Sequence, residues 1–246
     1  MTRLYLYGIF PTPGPQNLQL EGLDKQPVQT QVVDDFTFLY SEAQQDRYLA
    51  SRRNLLGHEK VLEQAMEVGY RTLLPLQFGL VIDDWATVTQ QLTAPYSQGL
   101  EKLFTKLDGQ REVGVKVFWE ADRELQMLLA ENESLREKRD SMEGRTLGMD
   151  EVVAIGQAIE RAMTDRKQSI ITTFQETLNP LAGDRVENDT LTEAMIYNAA
   201  YLIPWEAESM FSTQVEMLDS HFDGRLKIRY NNFTAPFNFA QLDRLE

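Results

Sequence analysis

The chain has 246 residues, 42% of them apolar, with no cysteine and a net charge of −14 at neutral pH. That length and apolar content suffice for two hydrophobic cores, and the lack of cysteine excludes disulfides, thiol catalysis and cysteine-ligated zinc. No apolar run reaches the roughly 18 residues of a membrane span or resembles a signal peptide, so we expect a soluble intracellular protein.

The first part of the chain predicts a sheet with helices packed on it. The elements are, in chain order, a strand at 3–10, a proline-rich loop at 11–15, a hairpin at 28–33 and 36–40, a helix at 54–69, a proline-bearing strand at 73–82, and helices through 85–92 and 95–107. Asp83 or Asp84 is expected to cap the first of these last two helices, and Pro95 to begin the second. The order predicts a ferredoxin-like layout in which a loop replaces the first crossover helix.

The second part predicts another sheet of the same kind. Its elements are a strand at 112–119, a charged helix at 121–143, a hinge at 144–148, a long helix at 150–178, a polar loop at 181–192, a strand at 194–203, a short helix from 204 and a strand at 226–230. A helical reading of 194–203 competes with the strand. Leu128, Leu135 and Met142 form only a thin seam, which favours a solvated helix face over a coiled coil.

Together these elements predict an α+β protein of two domains, each a modified ferredoxin-like sheet with helices packed on it. The N-terminal domain comprises residues 1–109. The C-terminal domain comprises residues 110–246 and carries an inserted αα-hairpin and a tail. Phe233, Phe237 and Phe239 make this tail too apolar to remain free, so we expect it to pack back on the body.

The stretch Leu73–Gly79 is an irregular corner. Pro75 donates no ladder hydrogen bond, and Gly79 permits a bend before the apolar run resumes. A helix that carries His58 leads directly into it. The corner is either structural or a docking site, and we favour the structural interpretation.

Residues that carry chemistry are sparse. There is no phosphate-binding loop, no dinucleotide glycine fingerprint and no G-x-S-x-G. The histidines, His58 and His221, lack the spacing of metal ligands, and the adjacent aspartates are placed for turns and caps. Excess negative charge, concentrated in residues 111–246, disfavours nucleic acid and anionic lipid as partners. We therefore predict no catalytic, cofactor-binding or metal-binding residue.

Four stretches taken together resemble the gas vesicle protein F/L family. They are Leu4–Ile9, His58–Glu63 followed by Leu74–Gly79, Glu112–Val117, and Asn198–Ile203 with Phe211. Near the C-terminus the family often has a glycine-tryptophan-proline-proline element, where this chain has Phe233-Thr234-Ala235-Pro236. The resemblance therefore does not extend to a partner contact made by that tryptophan.

The resemblance implies a non-enzymatic accessory or minor structural protein needed for gas vesicle assembly. Such a protein would bind the hydrophobic shell protein and other vesicle proteins, without a cofactor, and would lie on the vesicle or in the cytoplasm. Oligomeric state is left open, as is the choice between a permanent component and a transient chaperone.

Two other functions are consistent with the residues. One is a carboxylate-dependent enzyme with a site between the domains around His58, Glu59 and Glu63. The other is a small-molecule sensor, which rests on analogy with ferredoxin-like folds alone.

Overall fold

A computed structural model describes residues 3–140 and 148–242, which form two antiparallel sheets with helices packed on them. The strands are β1 (Arg3–Pro11), β2 (Gln29–Val33), β3 (Phe36–Ala43), β4 (Leu74–Pro75), β5 (Val81–Ile82), β6 (Gln110–Trp119), β7 (Asp184–Glu187), β8 (Met195–Pro204) and β9 (Leu226–Thr234). The helices are α1 (Arg52–Glu67), α2 (Trp85–Val88), α3 (Ala94–Leu107), α4 (Ala121–Glu131), α5 (Glu133–Asp140), α6 (Met149–Leu178) and α7 (Glu208–Phe222). The predicted α+β class is confirmed.

The first sheet has the strand order β2-β3-β1, and both β4 and β5 pair with the free side of β1. All of these pairs are antiparallel, and the register of β1 against β3 shifts between Leu6 and Gly8. Because β4 and β5 together take the place of a fourth strand, the order is that of a ferredoxin-like sheet. A loop with a short 3₁₀ turn at Leu23–Lys25 replaces the first crossover helix, as predicted.

Helix α1 forms because its caps and its apolar spacing agree. The hydroxyl of Ser51 accepts a hydrogen bond from the amide of Asn54 at the start of the helix. Val61, Leu62 and Ala65 recur at helical spacing and are fully buried against the sheet core. Beyond the end of the helix, Gly69 has a φ of 110°, a conformation that other residues avoid.

The predicted strand at 73–82 is interrupted. Only Leu74–Pro75 and Val81–Ile82 pair as strand, each with β1. The amide of Leu76 still donates to the carbonyl of Tyr7, and the carbonyl of Leu80 accepts from the amide of Leu6. Between these two anchors the chain leaves the ladder, because Pro75 cannot donate and Gly79 adopts a φ of 91°.

The helical segment after β5 is continuous. Asp84 caps it through a 2.8 Å hydrogen bond from the amide of Thr87 to Oδ1, as predicted. Pro95 lies in the first turn of α3, but no break precedes it: a π-helical turn at Thr89–Thr93 joins α2 to α3. Pro95 has no amide hydrogen, and the amide of Ala94 bonds the carbonyl of Thr89, five residues back, which widens the turn.

The second sheet has the strand order β7-β8-β6-β9. Hydrogen bonds from Trp119 to Ala194 and from Trp205 to Gly109 join opposite ends of β6 and β8, so these strands run antiparallel. The strand prediction for 194–203 is correct, and its helical competitor is wrong. The polar loop predicted at 181–192 contains β7. This four-residue strand lies at the edge of the sheet and has no apolar face. With β7 included, the order is again ferredoxin-like.

The helix predicted at 121–143 is divided in two at Asn132. The side chain of Asn132 accepts a hydrogen bond from the amide of Leu135 and so begins α5. The predicted solvated helix face is wrong, because Leu128 and Leu135 are buried together with Leu129. Three residues of α6 pack against this cluster: Ala158, Ala162 and Met163. This packing is the predicted αα-hairpin. Met142 and residues 144–147 of the predicted hinge lie outside the described residues.

The C-terminal tail packs back on the body, as predicted. Ala235 belongs to the buried core cluster of the first sheet, and Phe233 and Phe237 pack against that cluster. Contacts divide the described residues into two compact units that are discontinuous in sequence. One comprises residues 3–113, 201–208 and 231–242, and the other comprises residues 114–140, 148–200 and 209–230. A domain boundary at residue 109 stays a prediction. No helix in the described parts is long and apolar enough to cross a membrane.

Candidate functional site

The buried side chain of His58 links α1 to the irregular corner. Its Nε2 lies 3.1 Å from the carbonyl oxygen of Leu76, which can only accept, so Nε2 carries the proton. Nδ1 therefore accepts from the hydroxyl of Tyr5 at 3.0 Å, and the same hydroxyl accepts from the amide of Gly79 at 2.9 Å. This chain of hydrogen bonds fixes both sides of the corner to β1 and α1.

Burial sets the charge state of this link. It lowers the pKa of His58 to about 4, against the weaker opposing effect of the hydrogen bond to Leu76. Burial also raises the pKa of the Tyr5 hydroxyl far above its usual range. Both groups are therefore neutral at physiological pH. Since both ring nitrogens of His58 are occupied and its pKa is low, the imidazole is a structural connector and is poorly suited to act as a general base.

The two glutamates of the enzyme hypothesis lie on α1 but outside the hydrogen bonds of His58. Both are half-buried. Burial raises the pKa of Glu63, and the carboxylates of Glu59 and Glu67 raise it further. His221 is exposed in the last turn of α7, where it contacts the ring of Phe222. Among the described residues, no group of three histidine, aspartate or glutamate side chains could hold a metal ion.

A groove with a volume of about 480 Å³ lies between the corner and the helical segment that follows it. Its walls are mainly apolar and include Leu6, Phe78, Leu80, Ile82, Val88 and Leu92. The polar lining residues are Gln77, Thr87 and Gln91, so no charged side chain from the described part of the chain lines the groove. We define these residues, with Leu76 and Gly79, as the corner groove.

Two features of the corner groove suit it to binding a peptide segment. The main-chain groups of Gln77 and Phe78 make no hydrogen bond to the described residues, and they lie at the open edge of the first sheet. The facing wall carries the π-helical turn, which Thr93 fixes by a hydrogen bond from its hydroxyl to Asp34. Free edge groups beside apolar pockets are how sheets accept an additional extended segment.

The C-terminal tail is held by a buried carboxylate. Glu112 of β6 accepts hydrogen bonds from the main-chain nitrogen of Asn238 at 2.9 Å and from its side-chain Nδ2 at 2.6 Å. Burial raises the pKa of Glu112 to about 7, although both hydrogen bonds act in the opposite direction. Nearby, the guanidinium groups of Arg71 and Arg111 lie over the ring of Trp205.

In the second unit, a buried ion pair network joins the helical hairpin to the sheet. Glu124 of α4 is inaccessible to solvent and accepts from Arg166 at 2.7 Å and from Arg225 at 2.8 Å. Burial would raise the pKa of Glu124, but the two arginines together lower it. Arg166 also binds Glu131, and a cavity of about 580 Å³ adjoins the network. Because Glu124 and Glu131 engage these cations, the cavity is not an open anion site.

Comparisons with known proteins decide the family. A protein-family model described as gas vesicle synthesis protein GvpL/GvpF matches residues 3–241. The chain belongs to this gas vesicle family. It is similar to gas vesicle protein F of Dolichospermum flosaquae, with 60% identity over 98% of both chains. The resemblance drawn from four short stretches is thereby confirmed.

Solved structures agree with the family assignment. The crystal structure of GvpF from Anabaena sp. matches with a TM-score of 0.87 and 55% identity, covering 100% of this chain and 99% of that one. GvpF from Microcystis aeruginosa matches with a TM-score of 0.86 and 55% identity, covering 98% and 100%. The chain is therefore a gas vesicle protein with the α+β fold of GvpF.

The sequence of this GvpL/GvpF family member predicts the irregular corner but not the groove beside it. Around Leu92 it predicts only a helix. The signal that could have located the facing wall is Pro95, four residues after Gln91, since a proline there leaves the carbonyl of Gln91 without its helical partner. Glu112 and Glu124 carried no signal, because each lies in a pattern where glutamate is normally exposed.

Proposed function

We propose that this gas vesicle protein is a non-enzymatic accessory or minor structural component needed for vesicle assembly. In that role it binds the hydrophobic shell protein and other vesicle proteins, and it lies on the vesicle or in the cytoplasm. The observation that carries the proposal is the match to the GvpL/GvpF family over residues 3–241.

The corner groove supports this role physically. It is apolar and uncharged, so an apolar segment of a shell protein would enter it without leaving a charge buried and unpaired. Its walls are held in place by His58 and Tyr5, so little ordering is needed on binding. The strongly acidic chain around it would keep a complex with an aggregation-prone partner soluble.

The chemistry of His58 supports the proposed non-enzymatic character. A carboxylate-dependent enzyme would need a nitrogen that faces substrate, but both nitrogens of this ring are bound within the protein. Glu59 and Glu63 do not take part in those hydrogen bonds. None of these residues lines the corner groove.

Binding to purified shell protein tests the proposal. The wild-type chain is expected to retain shell protein at tens of micromolar or below, an affinity of about −6 to −8 kcal/mol. The variant Gln91→Arg places a charge in the corner groove without removing core volume, and it should weaken binding at least several-fold. Gln90→Arg is the matched control, because Gln90 is an exposed neighbour that does not line the groove.

These outcomes distinguish whether the protein binds the shell protein at all from whether it does so through the corner groove. No binding by the wild type would remove the proposed function. Equal binding by both arginine variants would leave the function and remove the groove as its site. Fractionation of washed vesicles with an antibody to this protein then distinguishes a permanent component, recovered with vesicles, from an assembly factor found with shell protein in the soluble fraction.

A further inference from the structure

One exposed patch of this acidic chain is both basic and apolar. It surrounds the start of α1 and consists of Arg47, Leu49, Arg52, Arg53 and Leu56, which we call the basic patch. Leu49 is 74% exposed and Leu56 is 53% exposed. The three arginines are exposed, and within the described ranges none of them forms a hydrogen bond or ion pair.

The basic patch is rigid. The carbonyl of Leu49 accepts hydrogen bonds from the amide of Ser51 at 2.7 Å and from the side chain of Asn54 at 3.0 Å. The preceding residue, Tyr48, is buried, and its hydroxyl bonds Asp24. Leu49 is thus held in solvent by a fixed loop, an arrangement that folding alone does not require.

The charges of the basic patch oppose the helix on which they lie. Arg52 and Arg53 occupy the first turn of α1, and that turn contains no acidic residue. The N-terminus of a helix carries a partial positive charge, which favours carboxylates and disfavours arginines. A local arrangement that lowers stability without an internal partner is typical of a functional surface.

The same chain carries a patch of complementary character. At the start of α6, Met149, Asp150, Glu151, Val152 and Val153 are all exposed, with Met149 at 79%. We call these residues the acidic patch. Its two carboxylates form no ion pair within the described ranges, and Glu151 accepts only from the amide of Gly148. The two acidic side chains lie between apolar ones, Met149 before them and Val152 and Val153 after them, in the first turns of α6.

We propose that the basic patch of one molecule binds the acidic patch of a second molecule of this chain. The carboxylates of Asp150 and Glu151 would pair with Arg52 and Arg53, at the helix terminus that lacks acidic residues. The exposed leucines of one patch would cover the methionine and valines of the other. The contact would thereby remove the exposed charged and apolar side chains of both patches from solvent.

The two patches are different surfaces, so the proposed contact is heterologous. A dimer joined by one such contact retains one unoccupied patch of each kind, to which further copies can add. Each patch has five residues, fewer than the roughly 20–30 a side of a stable complex. Association is therefore weak, expected at about 50–500 μM protein, and is reduced by salt, which screens the exposed charges.

Sedimentation velocity of the purified full-length chain tests the proposal over about 10–500 μM protein. The mean mass of the wild type should increase with protein concentration. At high salt this increase should be at least several-fold smaller. Arg52→Ala/Arg53→Ala and Asp150→Ala/Glu151→Ala each remove one patch, so each should remain monomeric alone. An equimolar mixture of the two should form dimers and stop there, since each molecule then has one usable patch.

Lys102→Ala/Lys116→Ala is a matched control that removes two exposed lysines elsewhere. It should associate like the wild type, and circular dichroism should show that all variants are folded. A wild type that stays monomeric throughout would overturn the proposal. So would association of either patch variant alone, or a mixture that grows beyond dimers.

Discussion

The carboxylate of Glu112 accepts hydrogen bonds from both nitrogens of Asn238, a residue 126 positions later in the chain. These hydrogen bonds hold the C-terminal tail against β6 through a buried carboxylate. Burial and hydrogen bonding thus act against each other on the same group, and burial is the stronger, because the pKa of Glu112 is raised to about 7.

The raised pKa of Glu112 predicts a pH-dependent stability. Its folded-state pKa of about 7 exceeds the ordinary 4.5, so its contribution is full below pH 4.5 and is lost as pH rises through 7. Glu112→Gln has no such titration. Its free energy of unfolding relative to wild type should therefore increase by about 2–3 kcal/mol between pH 5 and pH 8. Urea unfolding measures this difference. For Glu120→Gln, at an exposed position, the free energy of unfolding relative to wild type should not change between these pH values.

Removing the other partner should loosen the tail. Asn238→Ala deletes the 2.6 Å hydrogen bond to Glu112 and leaves the main-chain hydrogen bond in place. We expect a loss of about 1–3 kcal/mol at pH 8, where the carboxylate is charged. Hydrogen exchange should show lower protection around Ala235 and Phe239. Unchanged protection there would mean that aromatic packing alone holds the tail.

His58 predicts the opposite pH trend. Its folded-state pKa of about 4 lies below the ordinary 6.5, so the stability it contributes is present above pH 6.5 and is lost as pH falls through 4. His58→Phe cannot titrate and leaves the carbonyl of Leu76 unpaired. It should lower the free energy of unfolding by about 2–4 kcal/mol at pH 7.

The difference between wild type and His58→Phe should shrink by about 2–3 kcal/mol between pH 6.5 and pH 4. Chemical unfolding at several pH values measures this convergence. His221→Phe, at an exposed position in the last turn of α7, is the control. A constant difference for His58→Phe would show that the imidazole is not the titrating group.

The ion pair network predicts a contrast between two glutamates that bind the same arginine. Glu124 is inaccessible to solvent, so Glu124→Ala leaves Arg166 and Arg225 without their buried partner and should cost about 3–5 kcal/mol. The side chain of Glu131 is 57% exposed, so Glu131→Ala should cost under about 1 kcal/mol. Urea unfolding of the two variants gives the comparison; equal losses would contradict the assigned role of burial.

Most elements could be predicted from the sequence because their patterns are local. The alternation around Val115, the stripe of α6 and the cap at Asp84 each depend on neighbours a few residues away. Strand β7 could not be predicted, since three of its four residues are charged and none is fully buried, so it has no apolar alternation. The break at Asn132 was missed because the charged sequence on both sides of it favours helix.

The candidate site was less accessible to prediction than the fold. Proline and glycine marked the corner, but its connection to Tyr5 and His58 depends on the folding of three distant segments. The corner groove requires the π-helical turn opposite, which a helical pattern does not distinguish from an ordinary turn. Burial of Glu112 depends on a tail whose path no local pattern specifies.

The return of the tail has a consequence for how the protein is made. Ala235 belongs to the same core cluster as Tyr5 and Tyr7, and the ring of Phe237 lies 6.3 Å from that of His58. A ribosome releases β1 and α1 long before it has translated these partners. The core of the first sheet therefore stays incomplete until residues 235–237 have left the ribosome. A product that ends before Ala235 should therefore expose the apolar core of the first sheet, which chaperones recognise and proteases remove.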